Sequence, residues 1–235
     1  MKTAVLVDGG FFLRRFPHIF PSKAGNNPDV VAAAVLGLAV DHVRRLERAR
    51  NDLYRIFFYD CPPLTKKLHL PISGRAVDMS KTEPAVFRLA LHEALKRQRK
   101  VALRLGRLSD FADWQLKPVV LKQLRRRERD WAQLSDEDFE PGVRQKAVDM
   151  KIGLDIASLA YKHQVDQIVL VAGDADFVPA AKLARREGID FILDPLWGSV
   201  PADLHEHIDG LQSVCPRPGT RGMPDSGVAS PSAGP

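Results

Sequence analysis

Asp174 and Asp176 are the residues whose types and spacing are best suited to chemistry. The stretch from Val165 to Pro179, VDQIVLVAGDADFVP, runs along an apolar segment, Ile168 to Ala172, into Gly173 and two carboxylates, after which Phe177 reopens an apolar pattern. That order predicts strand, acidic turn, helix. Ligands of an open α/β sheet gather outside the carboxyl ends of its strands, so a strand emptying into Gly-Asp-Ala-Asp puts negative charge where reactions are usually carried out. Asp and Gly also follow buried strands with no further role, and in that reading Asp176 simply caps the next helix.

Four other aspartates stand out beside this pair. Asp8 closes an apolar run from Lys2 to Val7 and precedes Gly9-Gly10, residues that permit positive φ and close backbone approach. Asp60 closes a second apolar run, Leu53 to Tyr59. Asp149 stands near the start of a helix predicted within RQKAVDMKIGLDIASLA, Arg144 to Ala160, with Lys146 just before it. Asp155 falls mid-helix, where aspartate is a poor helix former, and so calls for a solvent face or a specific partner.

Carboxylates crowded into one pocket are costly unless a proton or a cation relieves them. Hard divalent cations prefer oxygen ligands, and magnesium takes one or two carboxylates plus waters and substrate phosphate. A metal so held can activate water and stabilise charge on the attacking and leaving oxygens of a phosphodiester. The two cysteines and the unclustered histidines disfavour zinc. Neither GxxxxGK[ST] nor GxGxxG occurs, so the usual nucleotide-phosphate and dinucleotide loops are absent.

The elements that must position these groups follow a βαβ rhythm. Pro28, after Asn26-Asn27, opens a long helix through Val31, Val35, Leu38, His42 and Leu46, with His42 read as structural. Leu64 to Lys81 is expected to be a long loop, and Thr82-Glu83-Pro84 to open a helix through Leu95. Lys100 to Leu108 alternates apolar and basic residues, as a half-exposed strand does, presenting Lys100, Arg104 and Arg107. Trp114 to Arg129 becomes helical in its later part and ends in the basic run Arg125, Arg126 and Arg127, which would either grip phosphates or form a solvated face. Asp136 to Glu140 reads as an acidic surface loop. A helix from Val178 to Arg186, a strand from Ile189 to Leu193 and a short helix from Ala202 to Ile208 complete the pattern.

With 235 residues, 45% of them hydrophobic, the chain can build one sizeable core. The expectation is a domain over 1–213 and a Pro/Gly/Ser-rich disordered tail over 214–235. No apolar run is long enough to span a bilayer, so no membrane partner is expected. Cys61 and Cys215 offer no disulfide framework, which points to a reducing cytoplasm, and Cys61 reads as a small buried thiol rather than a nucleophile. A formal charge of +6 is compatible with a polyanionic partner.

Together VDGGFF, KAVDMKIGLDIA and GDADF, in this order, resemble the NYN domain family, also called LabA-like, of the PIN-like nuclease group. The resemblance covers residues 2 to 213. It implies a Rossmann-like, PIN-type α/β fold of three layers with a central, mainly parallel sheet, and an acidic pocket binding Mg²⁺ or Mn²⁺ in a family thought to cleave RNA, single-stranded or structured. By position it implies catalytic roles for Asp8, Asp149, Asp174 and Asp176, metal ligation by Asp8, Asp149 and Asp174, and support from Asp155, Lys146 and Asp60. Many members carry an asparagine soon after the first aspartate, where this chain has Gly10 and Phe11. The function expected is metal-dependent endoribonuclease; the alternative is a catalytically weak RNA-binding or regulatory module that retains the acidic pocket. A phosphatase is disfavoured, since Asp8 is followed by Gly9-Gly10 rather than by the second aspartate of an Asp-x-Asp pair. A homo-oligomer is compatible with all of this.

Overall fold

A computed structural model describes residues 1–21, 27–45, 52–111 and 113–218. In chain order its strands are β1 (Lys2–Asp8), β2 (Asp52–Asp60), β3 (Lys67–His69), β4 (Ala76–Asp78), β5 (Val101–Leu105), β6 (Arg107–Leu108), β7 (Trp114–Leu116), β8 (Phe139–Pro141), β9 (Gln145–Lys146), β10 (Gln167–Val171), β11 (Asp190–Asp194) and β12 (Gly210–Leu211). The α-helices are α1 (Gly9–Ile19), α2 (Pro28–Arg45), α3 (Glu83–Arg97), α4 (Pro118–Arg125), α5 (Val148–Tyr161), α6 (Val178–Arg186) and α7 (Ala202–Glu206).

Six strands form one parallel sheet in the order β12-β11-β10-β1-β2-β5. The chain starts in the middle, builds outward through β2 and β5, then returns to the other side of β1 for β10, β11 and β12. The direction of winding therefore reverses between β1 and β10, and such a switch point opens a crevice at the carboxyl ends of the two strands. Val7 pairs with Val171 and Asp8 with Tyr59, so the three central strands end at one level.

Thr3 to Val7 and all of β10 are buried, as expected of parallel strands covered on both faces. Side chains alternate between two cores. Leu6, Tyr59, Leu170 and Leu193 face α5 and α6, together with Ile152 and Ile156 of α5. Val7, Phe58, Val171 and Ile192 face the layer made by α1, α2 and α3. The result is three layers, α/β/α.

Three short ribbons form a cap beyond the sheet. β3 pairs with β4, β6 with β9, and β7 with β8, all antiparallel. The loop expected over 64–81 is thus a hairpin, and the single strand expected over 100–108 breaks at Gly106. A Cβ on Gly106 would stand 2.7 Å from the Lys146 carbonyl and from Val148, so only glycine lets β9 approach there. Asp136, expected in a surface loop, ties the cap together by accepting the amides of Ile72 and Ser73 at 2.9 and 3.1 Å. Asp138 beside it is buried and clamped by Arg129 at 2.7 and 2.6 Å, which holds its carboxyl below the usual range.

The end of the domain also lies later than expected. Val214 and Cys215 are buried against the α1–α2 layer, and the Trp197 indole donates to the Cys215 carbonyl at 2.9 Å. Burial pushes the Cys215 thiol up to about 11. Residues 219–235, where most of the expected tail falls, lie outside the described residues, as does Leu46. No described helix is long and apolar enough to cross a membrane.

Candidate acidic site at the sheet switch point

Asp8 is the last residue of β1 and the N-cap of α1. Its Oδ1 accepts the Phe11 amide at 3.0 Å, so the cap reading and the carboxylate-at-an-edge reading hold together. Close packing, not positive φ, explains the first glycine after it. A Cβ on Gly9 would come within 2.5 Å of the Tyr59 carbonyl and 2.6 Å of the Phe58 ring. Gly10 has room: a Cβ there would lie 3.4 Å from Asp8 Oδ1, 3.6 Å from Arg14 Nη1 and 3.7 Å from Gln145 Oε1. A carboxylate, a guanidinium and an amide therefore converge around the Gly10 Cα.

Asp149 reaches the same edge from the first turn of α5. Ala147 turns the chain sharply there, with φ of 67° and ψ of 8° in the left-handed region. The buried positions Val148, Ile152, Ile156 and Leu159 fasten α5 to the sheet at helical spacing. Asp174 follows β10 and Gly173, whose missing side chain leaves space for the Phe11 ring, 2.7 Å from where a Cβ would stand. Asp174, rather than Asp176, caps the next turn: it accepts the Asp176 amide at 3.2 Å. Phe177, fully buried, anchors this turn below the two carboxylates.

Two of the four carboxyls, Asp8 and Asp149, are shifted by their surroundings. Desolvation raises the Asp8 carboxyl above its ordinary value of 3.8, the Asp149 charge adds to the rise, and the Phe11 amide and Arg14 oppose it. Asp149 is raised by burial first and then by repulsion from Asp174 and Asp176. Asp8 is half-buried, while Asp149, Asp174 and Asp176 stand exposed at the rim. Asp149 and Asp176 also border a groove between α5 and α6 with Met150, Leu154 and Leu183. Among the described residues, no three Asp, Glu, His or Cys side chains lie close enough together to hold a metal ion.

Asp60 is not brought into this set. It follows Tyr59, and alternation along β2 turns it to the opposite face of the sheet, where it is fully buried with Arg88 and His92 of α3. His92 Nε2 lies 2.8 Å from Asp60 Oδ2, and Arg88 binds the other oxygen. Asp60 is thus a structural anchor rather than a support for the site. Asp155 has the specific partner its position called for: it accepts the Tyr59 hydroxyl at 2.8 Å and the Arg104 guanidinium at 3.1 Å, tying α5 to β2 and β5. Burial, then the Asp155 charge, pushes the Tyr59 hydroxyl up. Lys146 is exposed in β9, and Arg125, Arg126 and Arg127 are exposed at the end of α4. Cys61 is buried, with its thiol raised by burial and by Asp60, which agrees with an inert thiol. His42 pairs with Asp194 at 2.8 Å in the α2-side core.

Arg14 and Gln145 were missed by sequence reasoning. Arg14 lies six residues after Asp8 on α1 and had no motif to mark it. Gln145 precedes the KAVD run directly, which was its one available signal.

The NYN domain model matches residues 86–205, just over half of the chain. The chain belongs to the NYN domain family. The matched segment includes Asp149, Asp174 and Asp176, and Asp8 precedes it. The NYN family generally comprises nucleases of the PIN-like group, and its fold agrees with the three-layer architecture seen here. An uncharacterized protein of Methanocaldococcus jannaschii is 32% identical over 81 residues, covering 34% of this chain and 33% of that protein. The chain thus spans about a third of that relative's length. A crystal structure of a protein of unknown function from Vibrio parahaemolyticus aligns over 89% of this chain and 90% of that one, at 14% identity and a TM-score of 0.39.

Proposed function

We propose that this NYN domain is a divalent-metal-dependent endoribonuclease acting at Asp8, Asp149, Asp174 and Asp176. The observation that carries the reading is that carboxylates from β1, α5 and the turn after β10 lie along the sheet switch point, where burial and the Asp149 charge raise the proton affinity of Asp8, and burial with the Asp174 and Asp176 charges that of Asp149. Charges placed so as to repel are retained at a cost, and a cation offsets that cost. The donor set is all oxygen, which suits Mg²⁺ or Mn²⁺. Asp8, Asp149 and Asp174 would hold the ion. A carboxylate or two with waters and an RNA phosphate satisfies magnesium, so a closed cage of three side chains is not required.

When bound, the ion supplies charge stabilisation at the phosphate and a more acidic water. The chain's own residues do the rest. Asp8 is fixed by the Phe11 amide at the amino end of α1, whose dipole favours negative charge there. Asp176, exposed beside Asp174, is the group placed to accept a proton from the attacking water. Arg14, beside Asp8, is placed to hold a phosphate oxygen and orient the strand.

The second reading, an RNA-binding module with little catalysis, is favoured by one observation: no three ligand side chains among the described residues are already gathered. One assay separates the two. Labelled single-stranded RNA is incubated with pure protein and Mg²⁺, Mn²⁺ or chelator, with Asp174→Asn alongside. The nuclease reading expects internal cleavage with metal only, lost in Asp174→Asn. RNA that is bound but intact with both metals refutes it and leaves the binding module.

A further inference from the structure

Outside the acidic edge, a cleft of about 600 Å³ opens between the cap and α3. Cys61 and Ala85 are buried at its floor, and Leu70, Trp114 and Phe139 stand half-buried in its walls. The Trp114 indole N–H is already satisfied by the His69 carbonyl at 2.7 Å, which leaves the flat apolar faces of the ring as its contribution. Six polar side chains also line the space: Thr82, Arg88 and Asp136 are engaged by the Met79 carbonyl, by Asp60 and by the Ile72 and Ser73 amides, and Lys117, Glu140 and Gln145 complete the set. A mostly apolar hollow of this size with a few polar groups is how small planar ligands are bound.

The cleft adjoins the acidic edge. Gln145 borders it, and the same side chain carries the oxygen that comes 3.7 Å from a Cβ built on Gly10, which in turn would stand 3.4 Å from Asp8 Oδ1. The charge also falls on this part of the chain. Residues 62–147, which build α3, β5 and the cap, carry 19 lysines and arginines against 11 aspartates and glutamates, an excess larger than the +6 of the whole chain. The part of the chain that builds the cleft is therefore cationic overall, while the lining is mostly apolar and aromatic, with Arg88, Lys117, Asp136 and Glu140 as its charged members.

We infer that this cleft receives an unpaired nucleobase of the RNA strand whose neighbouring phosphate lies at Asp8 and Asp149. The inference rests on the ribonuclease reading and adds a substrate class to it. An aromatic wall accepts the π-face of any base, the Gln145 amide can both donate to and accept from a base edge, and Lys117 neutralises backbone charge. A base stacked inside a duplex cannot enter such a hollow, so the substrate is single-stranded at that nucleotide.

The test reads binding by the full chain in chelator, which prevents cleavage. The probes are a fluorescein-labelled oligouridylate, the same strand with abasic riboses, and the strand annealed to its complement. The intact strand should bind about ten-fold more tightly than the abasic one, the scale expected from stacking a base on an aromatic ring. Trp114→Ala and Val77→Asp should weaken the intact strand about ten-fold and leave the abasic strand unchanged. Gln145→Ala, at an exposed side chain, should act in the same direction. Equal affinity for intact and abasic strands, equal affinity for duplex, or unchanged binding in all three variants overturns the inference, the last assigning the cleft to another class of partner. If the strand is cut yet intact and abasic forms bind alike, the base site alone falls. If no RNA is bound or cut, the ribonuclease reading falls with it.

Discussion

Replacing Asp60 by Asn should damage the fold and spare the acidic site. Asp60 has no exposed surface, and its two oxygens are shared between His92, at 2.8 Å, and Arg88. Removing one member of a buried charged cluster costs about 3–5 kcal/mol, because the remaining partners keep their desolvation cost without their bond. Arg88 retains 25% exposure and can turn toward water, which places the loss near the lower end, about 3 kcal/mol. In a domain of this size each kcal/mol shifts the melting temperature by about 2–4 °C, so the midpoint should fall by about 6–12 °C. Circular dichroism melts in chelator read this directly, and titration calorimetry with Mn²⁺ at a temperature where both proteins are folded reads the site. Asp60→Asn should bind Mn²⁺ as the wild type does. A midpoint within a degree of wild type together with lost Mn²⁺ binding would refute the reasoning and return Asp60 to the site.

Other outcomes follow from the same structure. Asp8 and Asp149 have native carboxyls raised above 3.8, so their contribution to metal-free stability is complete below that value and is lost as pH rises through the raised values. Asp149→Asn should therefore flatten the fall in melting temperature from acid to neutral pH and be more stable than wild type at pH 7 in chelator; a less stable variant there would contradict the assigned repulsion. Gly9→Ala drives a Cβ to within 2.5 Å of the Tyr59 carbonyl, and overpacking of this kind costs about 1–3 kcal/mol, seen as a lowered urea midpoint at unchanged slope. Deleting 219–235 should leave the melting temperature unchanged, whereas stopping at Ser213 removes the buried Val214 and Cys215 and costs about 2 kcal/mol or more; equal melts for the two truncations would show that these residues do not seal the core.

The sequence carried the central strands because each is a continuous apolar run, and it carried Asp8 and Asp174 because each follows such a run at a strand's carboxyl end. Asp60 satisfied the same rule and still faces away. The difference lies in register: Asp8 pairs with Tyr59, so Asp60 falls one step beyond and on the other face, and pairing register is not written in a single chain segment. The cap was illegible for a different reason. Its strands are two or three residues long, too short for periodicity to declare itself, and they pair across distances such as Arg107 to Lys146. Val214 and Cys215 were assigned to the tail because two apolar residues beside Pro and Gly give no signal of the core they enter. Asp155 was legible as an anomaly, an aspartate inside a helix, though not its partners Tyr59 and Arg104.

The central claim is that carboxylates distant in sequence serve one cation at the switch point. Mn²⁺ binding to the full chain, measured by calorimetry or by the loss of the free-ion paramagnetic resonance signal, tests it most directly across Asp8→Asn, Asp149→Asn and Asp174→Asn. The account predicts that each substitution weakens the same binding event, with folded protein in every case and metal-free stability at pH 7 undiminished in Asp149→Asn. Mn²⁺ binding that survives all three substitutions unchanged would contradict it.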